Sequence, residues 1–395
     1  MSEQLSNLAT IHYGKSPSEV LEADGSFPII GTGGKYGQAN RAMFNGPAVV
    51  IARKGSLGNP QLLMEPFWPA DTTYAAIPQK DVDARWLYYN LLNFDLTKLN
   101  EATGVPSISR DWLNRICFFN PSKEHKRKIG EILQAVDVAI EKTEALIVKY
   151  QQIKAGLMHD LFTRGVTANS KLRSPREQAP ELYQETPIGW IPKEWNVNSL
   201  RGLVGAGNII NGPFGSDLLT SELKVNGVPV LYVQDIKPGY FKRVSNAHVT
   251  ELKATELAFC NVRQGDVLVA KVGAPPCDSC VYPFAEKAIV TQDVIRIRPT
   301  PNVDSVYLSS LLNSPFGRKA LKKIAIEGTR ERVSLTEFKS LVFPIADAHE
   351  QVRISERLTT TQTFIEKEIR NREKLRQQKL GLMSDLLSGS IRVVL

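Results

Sequence analysis

Residues 149–161 read KYQQIKAGLMHDL, and residues 374–386 read KLRQQKLGLMSDL. The two stretches carry Lys, Gln, Lys, Gly-Leu-Met and Asp-Leu at matching positions. The same shift of 225 residues, run backwards without a gap, also pairs Ile129 with Ile354. A gapless match over about 40 residues indicates an internal duplication of the chain.

Both copies have the residue spacing of a long helix. In the first copy, the stripe positions alternate three and four residues apart, at Ile129, Ile132, Val136, Ala139, Thr143, Leu146, Tyr150, Ile153 and Leu157. The second stripe is less regular, because Thr361, Arg372 and Lys379 interrupt it. This spacing is typical of the a and d positions of a coiled coil.

We therefore predict two spacer helices, at residues 122–166 and 346–395, that pack on each other in antiparallel fashion. The predicted packing residues are Ile129, Leu133, Val136, Ile140, Leu157, Ile354, Leu358, Ile365 and Leu382. The alternative is that each helix packs only on its own domain. Two copies of this length at a fixed shift favour helices that pack on each other.

The duplication extends into the sequence that precedes each helix. Ile108-Ser109 recurs as Val333-Ser334 at the same shift, and Ala52–Gly55 is similar to Ala270–Gly273. Both halves contain short β-branched runs bounded by glycine and proline, such as PAVVIARKG and DVLVAKVG. Runs of this kind predict strands.

The predicted fold class is α+β. Two homologous mixed α/β domains, at residues 1–121 and 186–345, are expected to be separated by the two antiparallel helices with pseudo-two-fold symmetry. About one helix is predicted in each domain, near residues 84–93 and 304–313. Residues 167–185 are polar, with two prolines and no apolar period, and are interpreted as a linker.

The composition is that of a globular protein with a polyanionic partner. Of the 395 residues, 42% are hydrophobic and 23% are charged, with a formal net charge of +8. Excess positive charge favours binding to nucleic acid. The amino-terminal sequence has no run typical of a signal peptide, and no window approaches the roughly 18 apolar residues of a membrane span. We therefore expect a cytoplasmic protein without a membrane partner.

Motifs for catalysis or metal binding are incomplete. GTGGKYG at residues 31–37 lacks the Ser or Thr that follows the lysine of a phosphate-binding loop, so it is interpreted as a turn between strands. Cys277 and Cys280 form a single CxxC, whereas zinc requires two further soft ligands. Asn211-Gly-Pro-Phe214 departs from the adenine-methyltransferase motif at its second residue, and Phe214 is interpreted as a core residue. We expect no catalytic residue, metal or cofactor on this chain.

Several short stretches together resemble the specificity subunit of type I restriction-modification systems. They are Thr186–Trp195 (TPIGWIPKEW), Asn211–Ser216 (NGPFGS), Gly227–Ile236 (GVPVLYVQDI) and the Gly-Leu-Met helix endings at 156–158 and 381–383. The resemblance covers nearly the whole chain. The first half departs from the pattern, because it lacks the Ile-Pro-x-x-Trp opening and starts near LSNLATIHYGKSP.

The resemblance implies a non-catalytic subunit that reads a two-part, asymmetric site in double-stranded DNA through two target-recognition domains. It also implies two modification subunits, which methylate adenine N6 with S-adenosylmethionine, and restriction or motor subunits that use ATP. Helices about 60 Å long would fix the gap between half-sites. The alternatives are the recognition portion of a fused restriction-methylation enzyme and a structural scaffold that does not read DNA.

The predicted DNA contacts are donor side chains in loops: Lys35, Tyr36, Arg53, Lys54, Ser107 and Arg110 in the first domain, and Lys271, Arg330 and Arg332 in the second. Arginine and lysine bind either guanine edges or phosphates, and the sequence does not distinguish the two. For each residue the alternative is a solvated surface charge. The repeat aligns the loop at 327–332 with the region that ends at Ser107.

Overall fold

The computed structural model describes residues 2–326, 328 and 330–394. The sequence before the first long helix folds into β1 (Ser2–Gln4), α1 (Leu5–Leu8), β2 (Ala9–Tyr13), β3 (Phe27–Gly31), β4 (Gly34–Ala39), β5 (Ala48–Ala52), β6 (Gln61–Leu63), β7 (Trp68–Pro69), β8 (Thr73–Pro78), α2 (Ala84–Asn93), α3 (Arg110–Arg115) and β9 (Cys117–Phe119). The first long helix, α4 (Lys123–Thr163), follows and contains 41 residues.

The sequence after α4 forms β10 (Tyr183–Thr186), β11 (Gly189–Pro192), β12 (Asn196–Ser199), α5 (Leu200–Val204), β13 (Ile209–Asn211), β14 (Val228–Leu231), β15 (Ile236–Lys237), β16 (Tyr240–Phe241), β17 (His248–Val249), α6 (Glu251–Glu256), β18 (Asn261–Val262), β19 (Val267–Ala270), β20 (Val272–Gly273), β21 (Ser279–Val281), β22 (Ala288–Val290), β23 (Val294–Ile297), α7 (Ser305–Asn313), α8 (Pro315–Lys322), β24 (Ala325–Ile326), β25 (Glu331–Val333), α9 (Leu335–Ser340) and β26 (Val342–Ile345). The second long helix, α10 (Ala348–Ser388), also contains 41 residues.

The chain divides into two compact units. Unit 1 consists of Met1–Ile147 with Lys367–Leu395, and unit 2 consists of Val148–Glu366. Each unit therefore contains one globular domain, a segment of α4 and a segment of α10. The predicted domains treated each long helix as a separate segment, whereas the compact units divide both helices near their middles.

The two globular domains have the same sheet plan. Unit 1 contains the antiparallel sheet β2-β8-β5-β6 and the sheet β4-β3-β7, in which β3 and β7 are parallel. Unit 2 contains the antiparallel sheet β13-β23-β19-β21 and the sheet β17-β14-β22-β18, in which β14 and β22 are parallel. The α+β fold class is therefore confirmed, with two homologous domains.

A capped helix packs against the antiparallel four-stranded sheet in each domain, β2-β8-β5-β6 in unit 1 and β13-β23-β19-β21 in unit 2. The Asp83 carboxylate accepts from the backbone of Arg85 and Trp86 and so begins α2, and the Asp304 carboxylate accepts from Tyr307 to begin α7. Trp86 and Tyr307 are fully buried in their cores. Both predicted helices are confirmed, but one per domain was too few. Unit 2 also has α6 and α8, which the sequence reading did not separate from the loops.

Within each unit, the segments of α4 and α10 run antiparallel. In unit 1 the amine of Lys379 lies 2.6 Å from the Asp137 carboxylate, and Arg376 lies 2.6 Å from Glu144, so numbering falls on one helix as it rises on the other. In unit 2 the ring of Tyr150 stacks on Phe364 with centroids 5.9 Å apart. Among the residues that the structure describes, no helix is long and apolar enough to cross a membrane.

The predicted packing residues are all at least half-buried. In unit 1, Ile129 and Leu133 pack with Met383 and Leu386 of α10, and in unit 2, Ile354 and Leu358 pack with Leu161 and Phe162 of α4. Ile365 is also buried, and the half-buried members are Val136, Ile140, Leu157 and Leu382. One part of the predicted stripe is wrong. Ile153 is exposed and Lys154 is half-buried, because the stripe in this region lies one residue further along the helix.

Residues 167–185 do not behave as a linker of the kind that their composition predicts. Arg173 is buried, the Tyr183 hydroxyl donates to the Ser174 carbonyl at 2.7 Å, and Val166 bridges to Leu172. Although many polar side chains of the segment are exposed, Arg173, Ala179 and Tyr183 are buried against unit 2. The linker interpretation is therefore corrected: this segment is packed onto the second domain.

Candidate nucleic-acid interface

In unit 1 the segment after β5 is held by backbone bonds to two neighbouring loops. The Arg53 amide donates to the Thr72 carbonyl at 2.8 Å, and the Ile108 amide donates to the Arg53 carbonyl at 3.0 Å. The Gly55 amide donates to the Pro106 carbonyl at 2.8 Å. Three segments that are distant in sequence therefore meet at one edge of the domain.

Unit 2 has equivalent backbone contacts at the corresponding positions. The Lys271 amide donates to the Asp293 carbonyl at 2.8 Å, and the Val333 amide donates to the Lys271 carbonyl at 3.2 Å. Val272 pairs with Arg332 across β20 and β25. The backbone frame is thus the same in both domains, as the alignment of the two loops predicts.

The side chains on this common frame differ between the domains. Lys271 occupies the position of Arg53, and Arg332 occupies the position of Ser107. A lysine replaces an arginine, and an arginine replaces a serine. Because these side chains present different hydrogen-bond donors, equivalent contacts would select different bases.

The frame of unit 1 carries an aromatic residue that the sequence reading missed. Tyr13, at the end of β2, has two guanidinium groups beside its ring, with the Cζ atoms of Arg53 and Arg110 at 5.2 and 5.3 Å from the ring centroid. Tyr13 packs on Tyr74 with centroids 5.1 Å apart, and the Tyr74 hydroxyl donates to the Ile108 carbonyl at 3.1 Å. Burial raises the pKa of Tyr74 to about 12, so this hydroxyl remains a donor.

The two guanidinium groups have no acidic partner. One terminal nitrogen of Arg53 donates to the backbone carbonyl of Asp71 at 3.3 Å. In the part of the chain that the structure describes, no carboxylate forms an ion pair with Arg53 or Arg110. Two guanidinium groups beside one ring, with no ion pair among the described residues, retain N–H donors of the kind that bind an anion or the acceptor edge of a base.

The other predicted residues of unit 1 lie around the same edge. Lys54 bridges to Ser107 in the backbone, and both residues lie beside Arg53. Lys35 and Tyr36 are exposed on β4, and burial together with the nearby Asp71 carboxylate raises the pKa of Tyr36. The GTGGKYG stretch contains the turn between β3 and β4, so its interpretation as a turn between strands is confirmed.

In unit 2, Lys271 is half-buried, and Arg330 and Arg332 are exposed. Glu327 and Thr329 of the predicted loop lie outside the described residues. The position of Tyr13 is taken by Asn211, because Tyr13 pairs with Tyr74 as Asn211 pairs with Ile295 in the equivalent strands. Unit 2 therefore lacks the aromatic ring of unit 1.

One signal for Tyr13 was present in the sequence. A glycine follows the last residue of the strand in both domains, Gly14 after Tyr13 and Gly212 after Asn211. A Cβ atom on either glycine would lie within 2.0 Å of a carbonyl oxygen, so neither position accepts a side chain. The shared glycine marks the strand end from which Tyr13 and Asn211 reach the edge.

The interpretation of Phe214 as a core residue is wrong. Gly212 and Pro213 are buried against the sheet, and Phe214 is 68% exposed. The turn directs the aromatic ring outward because its two preceding residues already fill the space at the edge of the sheet.

The four cysteines differ in their exposure to solvent. Cys260, Cys277 and Cys280 are buried, and Cys117 is exposed. Burial raises the pKa of Cys277 and of Cys280 to about 12, so both thiols are neutral at physiological pH. Among the described residues, no group of three or more His, Cys, Asp or Glu side chains is arranged to hold a metal.

The family model for the type I restriction modification DNA specificity domain matches residues 2–150 and 192–376. The two matches cover most of the chain, one in each half. The chain therefore belongs to the family of type I restriction-modification DNA specificity proteins.

Individual relatives agree with this family. The type I restriction enzyme MjaVIII specificity subunit of Methanocaldococcus jannaschii is 24% identical over 356 residues, which are 88% of this chain and 77% of that protein. The fold is similar to that of the S subunit of the M. genitalium type I restriction-modification system, with a TM-score of 0.63, 13% identity and coverage of 98% and 96% of the two chains. A chain from a study of complex assembly and conformational transition of the type I R-M system gives a TM-score of 0.56, at 14% identity and with 99% and 98% coverage.

Proposed function

We propose that this chain is a non-catalytic specificity subunit that reads a two-part, asymmetric DNA site. The observation that carries the proposal is the repeated backbone frame with different side chains. Each domain presents donors from equivalent loops, so each would enter the duplex in an equivalent way and read its own half-site. Arg53 and Ser107 in one domain, and Lys271 and Arg332 in the other, would give two different half-sites.

The chemistry of modification and cleavage is assigned to partner subunits. Two modification subunits would methylate adenine N6 with S-adenosylmethionine, and restriction or motor subunits would use ATP. Family membership supports this division of labour. The net charge of +8 supports DNA as the shared ligand of the assembly.

Methylation mapping of the reconstituted complex tests the proposal. The purified chain is combined with its modification subunits and S-adenosylmethionine on random-sequence DNA, and methylated adenines are located by sequencing. We expect methylation at one two-part site, and none without the modification subunits. Methyl transfer by the rigorously purified chain alone, or methylation by the complex without sequence preference, would overturn the proposal.

Two single substitutions test the assignment of one half-site to each domain. Arg53→Ala should relax the first half-site only, and Arg332→Ala should relax the second only, each by about 1–3 kcal/mol at one position if the residue holds a guanine edge. A phosphate contact would instead weaken binding to all sequences and lower the salt dependence by about one unit. If both variants changed the same half-site, the assignment would be wrong.

A further inference from the structure

Tyr13 is a partly exposed aromatic residue, and one side of its ring packs on Tyr74. It is 44% exposed at a strand end, and its ring lies beside the guanidinium groups of Arg53 and Arg110, which form no ion pair among the described residues. Its other neighbour is the buried ring of Tyr74, which is fixed by its bond to the Ile108 carbonyl. The Tyr13 ring thus packs on the buried Tyr74 ring and also lies beside the guanidinium groups of Arg53 and Arg110.

Arg53 is the better oriented of the two arginines. Its backbone amide and carbonyl are both hydrogen-bonded, one terminal nitrogen donates to the Asp71 carbonyl, and its guanidinium lies beside the Tyr13 ring. Among the described residues, the other N–H groups of the same planar guanidinium make no hydrogen bond. A guanidinium held in this way loses little entropy when it forms two parallel bonds, and the O6 and N7 atoms of guanine accept such a pair.

The neighbouring charges favour a base over a phosphate. Asp71 is exposed and lies beside this cluster, since its backbone carbonyl accepts from Arg53 at 3.3 Å; burial and then the Asp71 carboxylate raise the pKa of the nearby Tyr36. A carboxylate at this edge repels a phosphate group. It is compatible with a base edge, because cytosine and adenine present amino groups that donate to carboxylates.

We propose that Tyr13 is a positioning residue that holds Arg53 and Arg110 for recognition of a guanine in the half-site of unit 1. This inference rests on the proposed function and names the base class and the supporting residue. Unit 2 carries Asn211 at the Tyr13 position and Leu335 at the Arg110 position, so its half-site is read without this arrangement.

The test uses methylation mapping by the full complex with three variants of Tyr13. Tyr13→Leu removes the ring and should lower discrimination at one guanine of the first half-site about tenfold, the same position that Arg53→Ala relaxes. Tyr13→Phe keeps the ring and should stay within about twofold of the unmodified chain. Tyr13→Asn, which introduces the residue of unit 2, should behave like Tyr13→Leu.

The second half-site is the internal control, since it must remain unchanged if the variant is folded. Tyr240→Leu is the matched control variant, because Tyr240 is a similarly exposed tyrosine (47%) in unit 2 and should change neither half-site. If Tyr13→Leu fails to assemble, Arg110→Gln decides the question, because the proposal requires it to relax the same guanine.

Three outcomes overturn the inference. Equal weakening of all sequences with a smaller salt slope identifies a phosphate contact, no change identifies a surface tyrosine, and relaxation at a base other than guanine refutes the assigned base. Failure of the unmodified complex to show a two-part site would refute the proposed function itself. If the unmodified complex methylates a two-part site and the Tyr13 variants methylate it with the same base discrimination, only the role of Tyr13 is refuted.

Discussion

The Glu350 carboxylate is fully buried at the start of α10 and accepts four hydrogen bonds. Both terminal nitrogens of Arg173 donate to it at 2.5 and 2.9 Å, the Trp195 indole donates at 3.0 Å, and the Val166 amide donates at 2.6 Å. These bonds join the sequence that follows α4, the segment at 167–185 and the beginning of α10 inside unit 2. We predict that Glu350→Ala strongly destabilises unit 2.

The expected loss of unfolding free energy depends on the buried donors that lose their acceptor in Glu350→Ala. The Arg173 guanidinium stays buried, and its remaining acidic neighbour is Glu194, whose more exposed carboxylate lies 3.4 Å away. Breaking a buried ion pair by removing one partner costs about 3–5 kcal/mol. The Trp195 and Val166 donors each lose an acceptor, which adds roughly 1 kcal/mol apiece before partial compensation by Glu194. We expect about 4 kcal/mol for Glu350→Ala, and a smaller loss for Glu350→Gln.

Urea denaturation of the full chain, followed by circular dichroism and tryptophan fluorescence, measures this loss. The repeat supplies a matched control, because His125 occupies the position of Glu350 in the first copy and its ring forms a hydrogen bond with Ser122 at the surface. His125→Ala should change the stability by less than about 0.5 kcal/mol. Equal, small shifts of the unfolding midpoint for His125→Ala and Glu350→Ala would refute the argument.

Three further predictions concern the long helices and the thiols. Leu133→Asp places an unpaired charge in the core of unit 1 and should cost about 3–5 kcal/mol in urea denaturation, whereas the exposed Lys142→Asp should do little. Insertion of seven residues into each long helix, near Glu144 and Ile369, should keep both half-sites and lengthen the methylated gap by about three base pairs, and an unchanged gap would show that the helices do not set it. Maleimide at neutral pH should label one thiol of the native chain, Cys117, and rapid reaction of a second would contradict the burial of the other three.

The elements that the sequence predicted are those with local signals. Strands such as β5 and β19 are runs of β-branched and small residues, and α2 and α7 have an aspartate cap at their first turn. The frame around Arg53 was found through the duplication, since matched residues in two copies fold alike. These predictions needed no knowledge of contacts that are distant in sequence.

The predictions that failed depend on such distant contacts. Arg173 reads as a linker residue until Glu350, which lies 177 residues away, is brought against it. Tyr13 is an ordinary aromatic residue at a strand end until Arg53 and Arg110 arrive from other segments. Composition and periodicity reflect residues that are close together along the chain. They therefore do not identify the distant partners of Arg173 and Tyr13.

Lys379, which interrupts the second helical stripe, has a counterpart in the first long helix, Lys154. Lys154 and Lys379 are 225 residues apart, and so are their partners Asp137 and Gln362. In unit 2 the Lys154 amine donates to the Gln362 amide oxygen at 2.7 Å, and in unit 1 the Lys379 amine lies 2.6 Å from the Asp137 carboxylate.

The same polar contact is thus made in both units, with the roles of the two helices exchanged. An apolar heptad stripe can slip by one heptad with little change in packing, but such a slip would separate each half-buried lysine from the side-chain oxygen that it contacts here. Lys379, one of the residues that interrupt the second stripe, and its counterpart Lys154 therefore favour a single register of the helix pair.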